Sequence, residues 1–403
     1  MRVSTAFNKM LAIPGAWVRE ITFSPTGVVV ELRRRARRLQ CPCGTTFSGT
    51  YDRSVRRWRH LDLGASRLWL QAEIRRGRCP SCRRVRTEQV PWARPGARHS
   101  RDFEDVVTWL AQRADKTTVA TLFGCAWATV DAIVLRVVAD HIDDSRLDGL
   151  YRIGVDEVSY RRGHRFVTLV ADHDTGAVVW ASYQDPARAF GSFFDQLGPE
   201  RSAQIQAVSM DMSPAFRGVA SVAAPQARVC FDPFHIIKRA NVAVDTVFSS
   251  VAQDLGLRGR DVTRKRVVLR RAGEDLSRDQ RRFVVMLRRK RHVLFRAWLL
   301  KEELRDFYRL ELADPADYLK RWITRALRSK ILAFVRLAQL LKQRFDGVLA
   351  AVELGLSNSR LEGINARVRV IQRRGYGFHS PAALVAMIYL VCGGITVQLP
   401  TRR

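Results

Sequence analysis

Between Arg152 and Tyr183 lie three runs rich in β-branched and aromatic residues, RIGVDEVSY, HRFVTLVAD and GAVVWASY, separated only by the turns RRG and HDTG. Turns this short leave no room for a crossover helix, so the three strands are expected to form an antiparallel meander. The pattern then changes. A helical stretch around PARAFGSFFDQL leads to a fourth strand in IQAVSMDMS, and a helix near PAFRGVASVA leads to a fifth in ARVCFDPFH. Few sheets accommodate three antiparallel strands followed by helix, strand, helix, strand, so this order constrains the fold more than any other feature of the chain.

That order is the one expected of a ribonuclease H-like core, in which the first and fourth strands lie side by side. Strand alternation puts Ile153 and Val155 on one face and Gly154, Asp156 and Val158 on the other. A lone ionised carboxylate among apolar neighbours is costly unless something cationic offsets it. Asp211 repeats the situation at the end of the fourth strand, after AVSM. Two such carboxylates on adjacent strands repel, and a divalent cation resolves the repulsion. Glu362, in the first turn of the arginine-loaded helix SNSRLEGINARVRVIQRR, completes a set of three if that helix packs on the sheet, with Asn365 and Arg369 on its face. A competing reading makes Glu362 the partner of Ser359 in a capping box. Glu157 should face away from Asp156, and Asp172 and Asp174 belong to a turn. Asp232 ends the fifth strand before Pro233, which suits a helix cap, and it remains with His235 as a residue beside the site.

The chain of 403 residues carries 69 Lys plus Arg against 39 Asp plus Glu, a formal charge of +30. A surface of that sign attracts polyanions, nucleic acid above all, although a protein that coats nucleic acid without reacting meets the same condition. The excess concentrates in a long helical region from about Lys238 to Gly347, in TRKRVVLRR and RRKRHVLFRAW. Such a run is either a solvated face or a phosphate-binding one, and the same windows hold few acids. Nearby, Ile323, Leu327, Ile331, Phe334, Val335, Ala338 and Leu341 recur three or four apart, one apolar face of a helix packed on a core.

Ahead of the core the pattern is different again. Residues 1 to 96 read as strands and turns, with a hairpin around Pro25 and Gly27 and a strand alternating Leu68, Leu70, Ala72 and Ile74. Four of seven cysteines cluster there, Cys41, Cys43, Cys79 and Cys82, which indicates a reducing compartment and one metal site, not disulfides. Cys79-Pro80-Ser81-Cys82 is a good zinc half-site. PWARPGARHS at 91 to 100 reads as a linker, and the following helix, short helix, turn at Gly124 and Cys125 and further helix have the punctuation of a helix-turn-helix. Because Arg136 is nearly the only base on the second helix, a small helical bundle is the alternative. Lys9 and Pro14 interrupt the N-terminal apolar residues, so no secretory segment is expected, and the apolar run Leu384 to Val397 is too short for a membrane span.

The segments IGVDEVSYRRGHRFVTLVADHDTG, VSMDMSPAFRGVA, ARVCFDPFHIIKRANVAVD and SNSRLEGINARVRVIQRRGYGF, with RRWRHLDLG before the second cysteine pair, together resemble the DDE transposases of bacterial insertion sequences, in the ISL-three group. The resemblance spans nearly the whole chain. It implies a multidomain α+β protein: a zinc ribbon (1–96), a helix-turn-helix (97–148), a ribonuclease H-like core in two parts (149–238 and 350–403), and a basic helical insertion (239–349) between them. It makes Asp156, Asp211 and Glu362 the catalytic triad, served by Mg²⁺ or Mn²⁺, and Cys41, Cys43, Cys79 and Cys82 the ligands of a structural Zn²⁺. Cys41-Pro42-Cys43 has one intervening residue where the family usually has two, so His60 and His99 stand as alternative ligands. The expected partners are the DNA of element ends and target, and further copies of the chain, in the bacterial cytoplasm at the nucleoid. A non-catalytic DNA-binding relative and a nuclease that hydrolyses without joining are the other functions compatible with these features.

Overall fold

A computed structural model describes residues 2–36, 38–161, 165–290, 292–378 and 380–400, so most of the turn expected at RRG lies outside the described residues. The chain divides into two compact units, Met1–Asp143 with Ile371–Arg403, and Asp144–Val370. In the first, a helix not foreseen from the sequence, α1 (Val3–Leu11), precedes β1 (Ala16–Ser24) and β2 (Gly27–Arg34), the expected antiparallel hairpin. Short β3 (Leu39–Gln40) and β4 (Thr46–Phe47) carry the first cysteine pair between them, and β5 (Asp52–Arg59) returns to the main sheet. There β6 (Leu68–Arg78) pairs parallel with β2 and antiparallel with β5, burying Leu68, Leu70, Ala72 and Ile74 as alternation predicts, and β7 (Val85–Thr87) pairs with the end of β6.

The stretch 91–100 is not a free linker. Trp92 packs edge-on to Trp58 at 5.8 Å, and the buried Arg94 bonds Glu104, Asp105 and Asp140. Desolvated charges in this arrangement hold one geometry, because separating any partner strands the others in the interior. Helix α2 (Arg101–Ala111) starts where Ser100 Oγ accepts from the Phe103 N–H. Asp115 caps α3 (Lys116–Phe123) in the same way, and Gly124, at φ 53°, ends it in the left-handed region that favours glycine. The next helix, α4 (Trp127–His141), leaves α3 at 99°, the geometry of a helix-turn-helix. The C-terminal helix Pro381–Cys392 packs on α4 and takes up most of the apolar run from Leu384. No single helix among the described residues is long and apolar enough to cross a membrane.

The second unit is built on β8 (Arg152–Arg161), β9 (Arg165–Asp172) and β10 (Val178–Ser182), which form the antiparallel meander. After α5 (Pro186–Leu197) and α6 (Pro199–Ser202), β11 (Ala207–Met210) joins β8 in parallel, and after α7 (Pro214–Ala223), β12 (Arg228–Phe231) joins β11 in parallel. The sheet order is β10-β9-β8-β11-β12. Seven helices follow before the one bearing Glu362: α8 (Pro233–Val251), α9 (Arg260–Arg270), α10 (Arg278–Arg289), α11 (Val293–Arg309), α12 (Pro315–Arg328), α13 (Leu332–Gln343) and α14 (Phe345–Glu353). The last helix of this set, α15 (Ser359–Arg374), begins in this unit, and the division of the chain falls within it.

Two features of the helical region differ from the sequence pattern. The apolar stripe from Ile323 to Leu341 is not one helix, because Lys330 at φ 61° separates α12 from α13; burial of Ile331 and Phe334 across the break keeps the stripe on the core. The core is also continuous, running from Ile153 and Phe190 on and beside the sheet through Phe248 to Phe307, Trp322 and Phe334. Gly347 brings α14 onto the edge strand, where a Cβ would stand 2.6 Å from the Phe231 ring.

Candidate functional site

The pairing of β11 with β8 runs Ala207 to Arg152, Val208 to Ile153 and Ser209 to Gly154, which leaves Asp156 two residues beyond the last pair on β8 and Asp211 two beyond it on the β11 side, close enough for their charges to interact. Asp156 accepts from the Glu157 N–H at 2.8 Å and from Asn365 Nδ2 at 2.6 Å. Asp211 turns one oxygen to the Ser213 N–H at 2.8 Å. Burial raises the Asp156 carboxyl above its ordinary value despite these bonds, and the charge of Asp211 adds to the rise. Glu157 belongs to the same field, although alternation directs it away from Asp156: burial pushes its carboxyl up to about 7, and Asp211, Asp156 and Asp185 push the same way. Alternation along β8 does not foresee this, because it says nothing of Asp211, one residue past the end of β11, or of Asp185, just before α5.

Helix α15 lies over the same face. Leu361 occupies the space above Gly154, where a Cβ would come within 2.3 Å of Leu361 Cδ1, and one helical turn on, Asn365 reaches Asp156. Glu362 is exposed, and its side chain makes no hydrogen bond or ion pair among the described residues. Desolvation of its carboxyl raises it, with Asp232 next and Asp156 also contributing, against His235 and Arg369. The capping box is not formed: Ser359 already lies within the helix, and its N–H goes to Ser357 Oγ at 3.4 Å. Asp232 does cap α8, accepting from the Phe234 N–H, and its other oxygen takes His235 Nδ1 at 2.8 Å. That bond raises His235 above its ordinary value, with the Asp156 and Asp211 charges helping. Among the described residues no lysine or arginine forms an ion pair with Asp156, Asp211 or Glu362. In a chain of net charge +30, a cluster of carboxylates without such a partner is the arrangement a bound cation would relieve. The three do not converge as closely as the cysteines do, since the cysteines are the one group of metal-binding type found within 4.8 Å among the described residues.

The four cysteine sulfurs all lie within 4.8 Å of one another. Cys41 and Cys82 sulfurs lie 3.6 Å apart and Cys43 and Cys79 sulfurs 3.7 Å, against about 3.8 Å for thiolates about 2.3 Å from one zinc. The short Cys41-Pro42-Cys43 spacing still closes, because Gly44 turns at φ 88° and the Cys41 N–H bonds Thr45 O at 2.9 Å. Hydrogen bonding with Thr45 lowers the Cys43 thiol to about 6, toward the thiolate a metal needs. Neither alternative ligand joins the four sulfurs among the described residues: His60 Nδ1 bonds Ser100 Oγ at 2.7 Å, and His99 stacks on Phe103 at 4.7 Å.

Known proteins resemble this chain in sequence over most of its length. The sequence model of a transposase family, that of ISL3 elements, matches residues 153–388. The chain belongs to the ISL3 family of transposases. The family's helix-turn-helix domain matches residues 88–138, and a zinc-finger of transposases IS204, IS1001, IS1096 and IS1165 matches residues 43–82. A transposase for insertion sequence element IS1557 from Mycobacterium tuberculosis, found in strains CDC 1551 / Oshkosh and ATCC 25618 / H37Rv, is 37% identical over 389 residues, covering 89% of this chain and 87% of the relative. A transposase for IS1001 from Bordetella parapertussis is 29% identical over 360 residues, covering 87% of each chain.

The arginines of this transposase divide into two groups that sequence alone does not separate. Many are engaged internally: Arg270 with Asp245, Arg305 with Glu274 and Glu302, Arg309 with Glu274 and Asp306, Arg325 with Glu303. Even Arg136 of the second helix-turn-helix helix is held by Glu104 at 2.7 Å. On α10, by contrast, Arg278, Arg281, Arg289 and the adjoining Lys290 line a cleft of about 730 Å³ and have no acidic partner among the described residues.

Proposed function

We propose that this transposase cuts and joins DNA strands at a two-metal site made by Asp156, Asp211 and Glu362, on a ribonuclease H-like core interrupted by the helical segment 239–349. The observation that carries the reading is the set of carboxylates without a lysine or arginine partner, on β8, just past the end of β11 and on α15, with burial and neighbouring carboxylates raising Asp156 and Glu362. The sheet order and the parallel pairing of β11 with both neighbours support the fold assignment. The donors suit Mg²⁺ or Mn²⁺, hard ions that take carboxylate oxygens and leave positions for substrate phosphate. Two such ions, when bound, activate the attacking oxygen and stabilise the leaving one in an in-line displacement at phosphorus.

The chain's own residues supply the rest. Asp156 and Asp211 provide fixed oxygens on adjacent strands, and Glu362 provides one on an exposed side chain above them. The unpaired bases of α10 hold the DNA backbone, while the zinc-filled cysteine cluster and the helix-turn-helix recognise the element's ends, the protein acting as a homodimer or larger assembly on DNA. Its place is the bacterial cytoplasm, at the nucleoid. The test is Mg²⁺-dependent cleavage and joining of DNA carrying the gene's native flanks by wild type and Glu362→Gln. Wild type should cleave and Glu362→Gln should fall by roughly 10²-fold or more while still binding DNA. A Glu362→Gln protein that cleaves like wild type removes Glu362 from the site, and a wild type that binds without cleaving favours a purely DNA-binding role.

A further inference from the structure

Asn358, immediately before α15, is 0% exposed, an unusual place for an amide. Its Oδ1 accepts from Ser209 Oγ at 2.5 Å, and that same hydroxyl oxygen lies 2.6 Å from His173 Nε2. A hydroxyl has one proton to give. Ser209 gives it to Asn358, so it must accept from His173, whose Nε2 then carries the proton. The Asn358 N–H reaches Asp232 Oδ1 at 3.3 Å, and its C=O receives the Glu362 N–H at 2.8 Å, a bond of the first turn of α15. One residue thus joins the turn after β9, the strand β11, the end of β12 and the helix that carries Glu362. Gly154 is required for it, since a Cβ there would stand 2.8 Å from Ser209 Oγ and 2.9 Å from His173 Nε2.

Seven residues on, Asn365 repeats the pattern. Its Nδ2 binds Asp156 at 2.6 Å, while its Oδ1, like Asn358 Nδ2, is buried without a partner among the described residues. Leaving such an atom unpaired costs about 1–3 kcal/mol, and an apolar residue of similar size would avoid that cost. What the two amides provide is direction. We infer that Asn358, backed by Ser209 and His173, and Asn365 are positioning residues that set Glu362 and Asp156 for a shared divalent cation. This rests on the site proposed above.

The test uses full-length Ser209→Ala and Asn365→Ala beside Asp156→Asn and Glu362→Gln. Each is titrated with Mn²⁺ by calorimetry, melted, and assayed for cleavage across a range of Mg²⁺. The two positioning variants should fold with a lowered melting temperature and, at temperatures where they are folded, bind Mn²⁺ roughly 10-fold more weakly. Their cleavage should recover as Mg²⁺ is raised, whereas the carboxylate variants should lose both binding and cleavage. Wild-type Mn²⁺ affinity in both positioning variants, with the carboxylate variants defective, overturns the inference and leaves the site standing. Activity that falls only in step with the melted fraction overturns it equally. Should Ser209→Ala not fold, Asn365→Ala decides, since its amide bonds only Asp156 among the described residues. If Asp156→Asn and Glu362→Gln bind Mn²⁺ and cleave as wild type does, the site proposal itself fails and the inference with it.

Discussion

Asp156 on β8 and Asp211, one residue past the end of β11, act on each other through their charges and form no ion pair with a lysine or arginine among the described residues, so their charges oppose folding in the metal-free protein. Asp211→Asn removes part of that repulsion. Its metal-free melting temperature should hold or rise while cleavage drops by roughly 10³-fold, and a calorimetric melt beside the cleavage assay checks both. A residue of the opposite chemistry, His99, makes stability depend on pH. Burial, with the charges of Arg136, Arg59 and Arg98, lowers its pKa to about 4 from the 6.5 expected of the unfolded chain. Between those values the unfolded state holds a proton that the folded state refuses, so stability rises with pH across the window and is lost as pH falls through it. The loss should be on the order of 1–3 kcal/mol. His99→Phe, which keeps the stack on Phe103, should flatten that part of the stability profile between pH 6.5 and about 4; an unchanged slope would assign the loss to other groups.

At the scale of elements, the placement of α15 decides whether Glu362 joins the aspartates. Leu361 sits where any side chain at position 154 would go. Gly154→Ala therefore moves the helix, Ser209 or His173, at a strain of about 1–3 kcal/mol. Cleavage should suffer more than folding does. Hydrogen exchange should show faster opening of the first turn of α15 with little change in β8 to β10, and an equal change throughout the sheet would mean that the glycine serves only packing. The ribbon makes the complementary point. Its closure around Gly44 shows that a one-residue spacing between Cys41 and Cys43 still brings four sulfurs together, so the departure from the family's usual spacing changes the loop and not the cluster.

For the whole molecule, the net charge of +30 makes DNA affinity fall with salt, but not every arginine contributes. Neutralising Arg278, Arg281 and Arg289 together should lower the slope of log affinity against log salt by about 3, close to one for each phosphate that no longer meets a cation. Neutralising Arg305 and Arg309, which bond Glu274, should leave the slope alone and lower the melting temperature instead. Nitrocellulose filter binding on a flank-free duplex measures the first effect. An unchanged slope for the α10 variant would mean that its cleft does not hold DNA.

The sequence by itself determined the meander, the later strands and their helices, the helix-turn-helix and the four-cysteine cluster, because period-two alternation, helix caps, glycine turns and C-x₂-C spacing are local properties that neighbouring residues enforce. It also singled out Asp156, Asp211, Glu362, Asp232 and His235 as acids and a histidine in unusual places. Only the tertiary structure decided what these residues touch. Asn358 meets Ser209 across 149 residues and Asp232 across 126, Glu157 joins the field of Asp211 across a strand end, and the arginines of α9 and α11 find acids that no local spacing foretells. Such pairings depend on how helices and strands distant in the chain are packed together, and periodicity carries no information about a partner more than a few turns away.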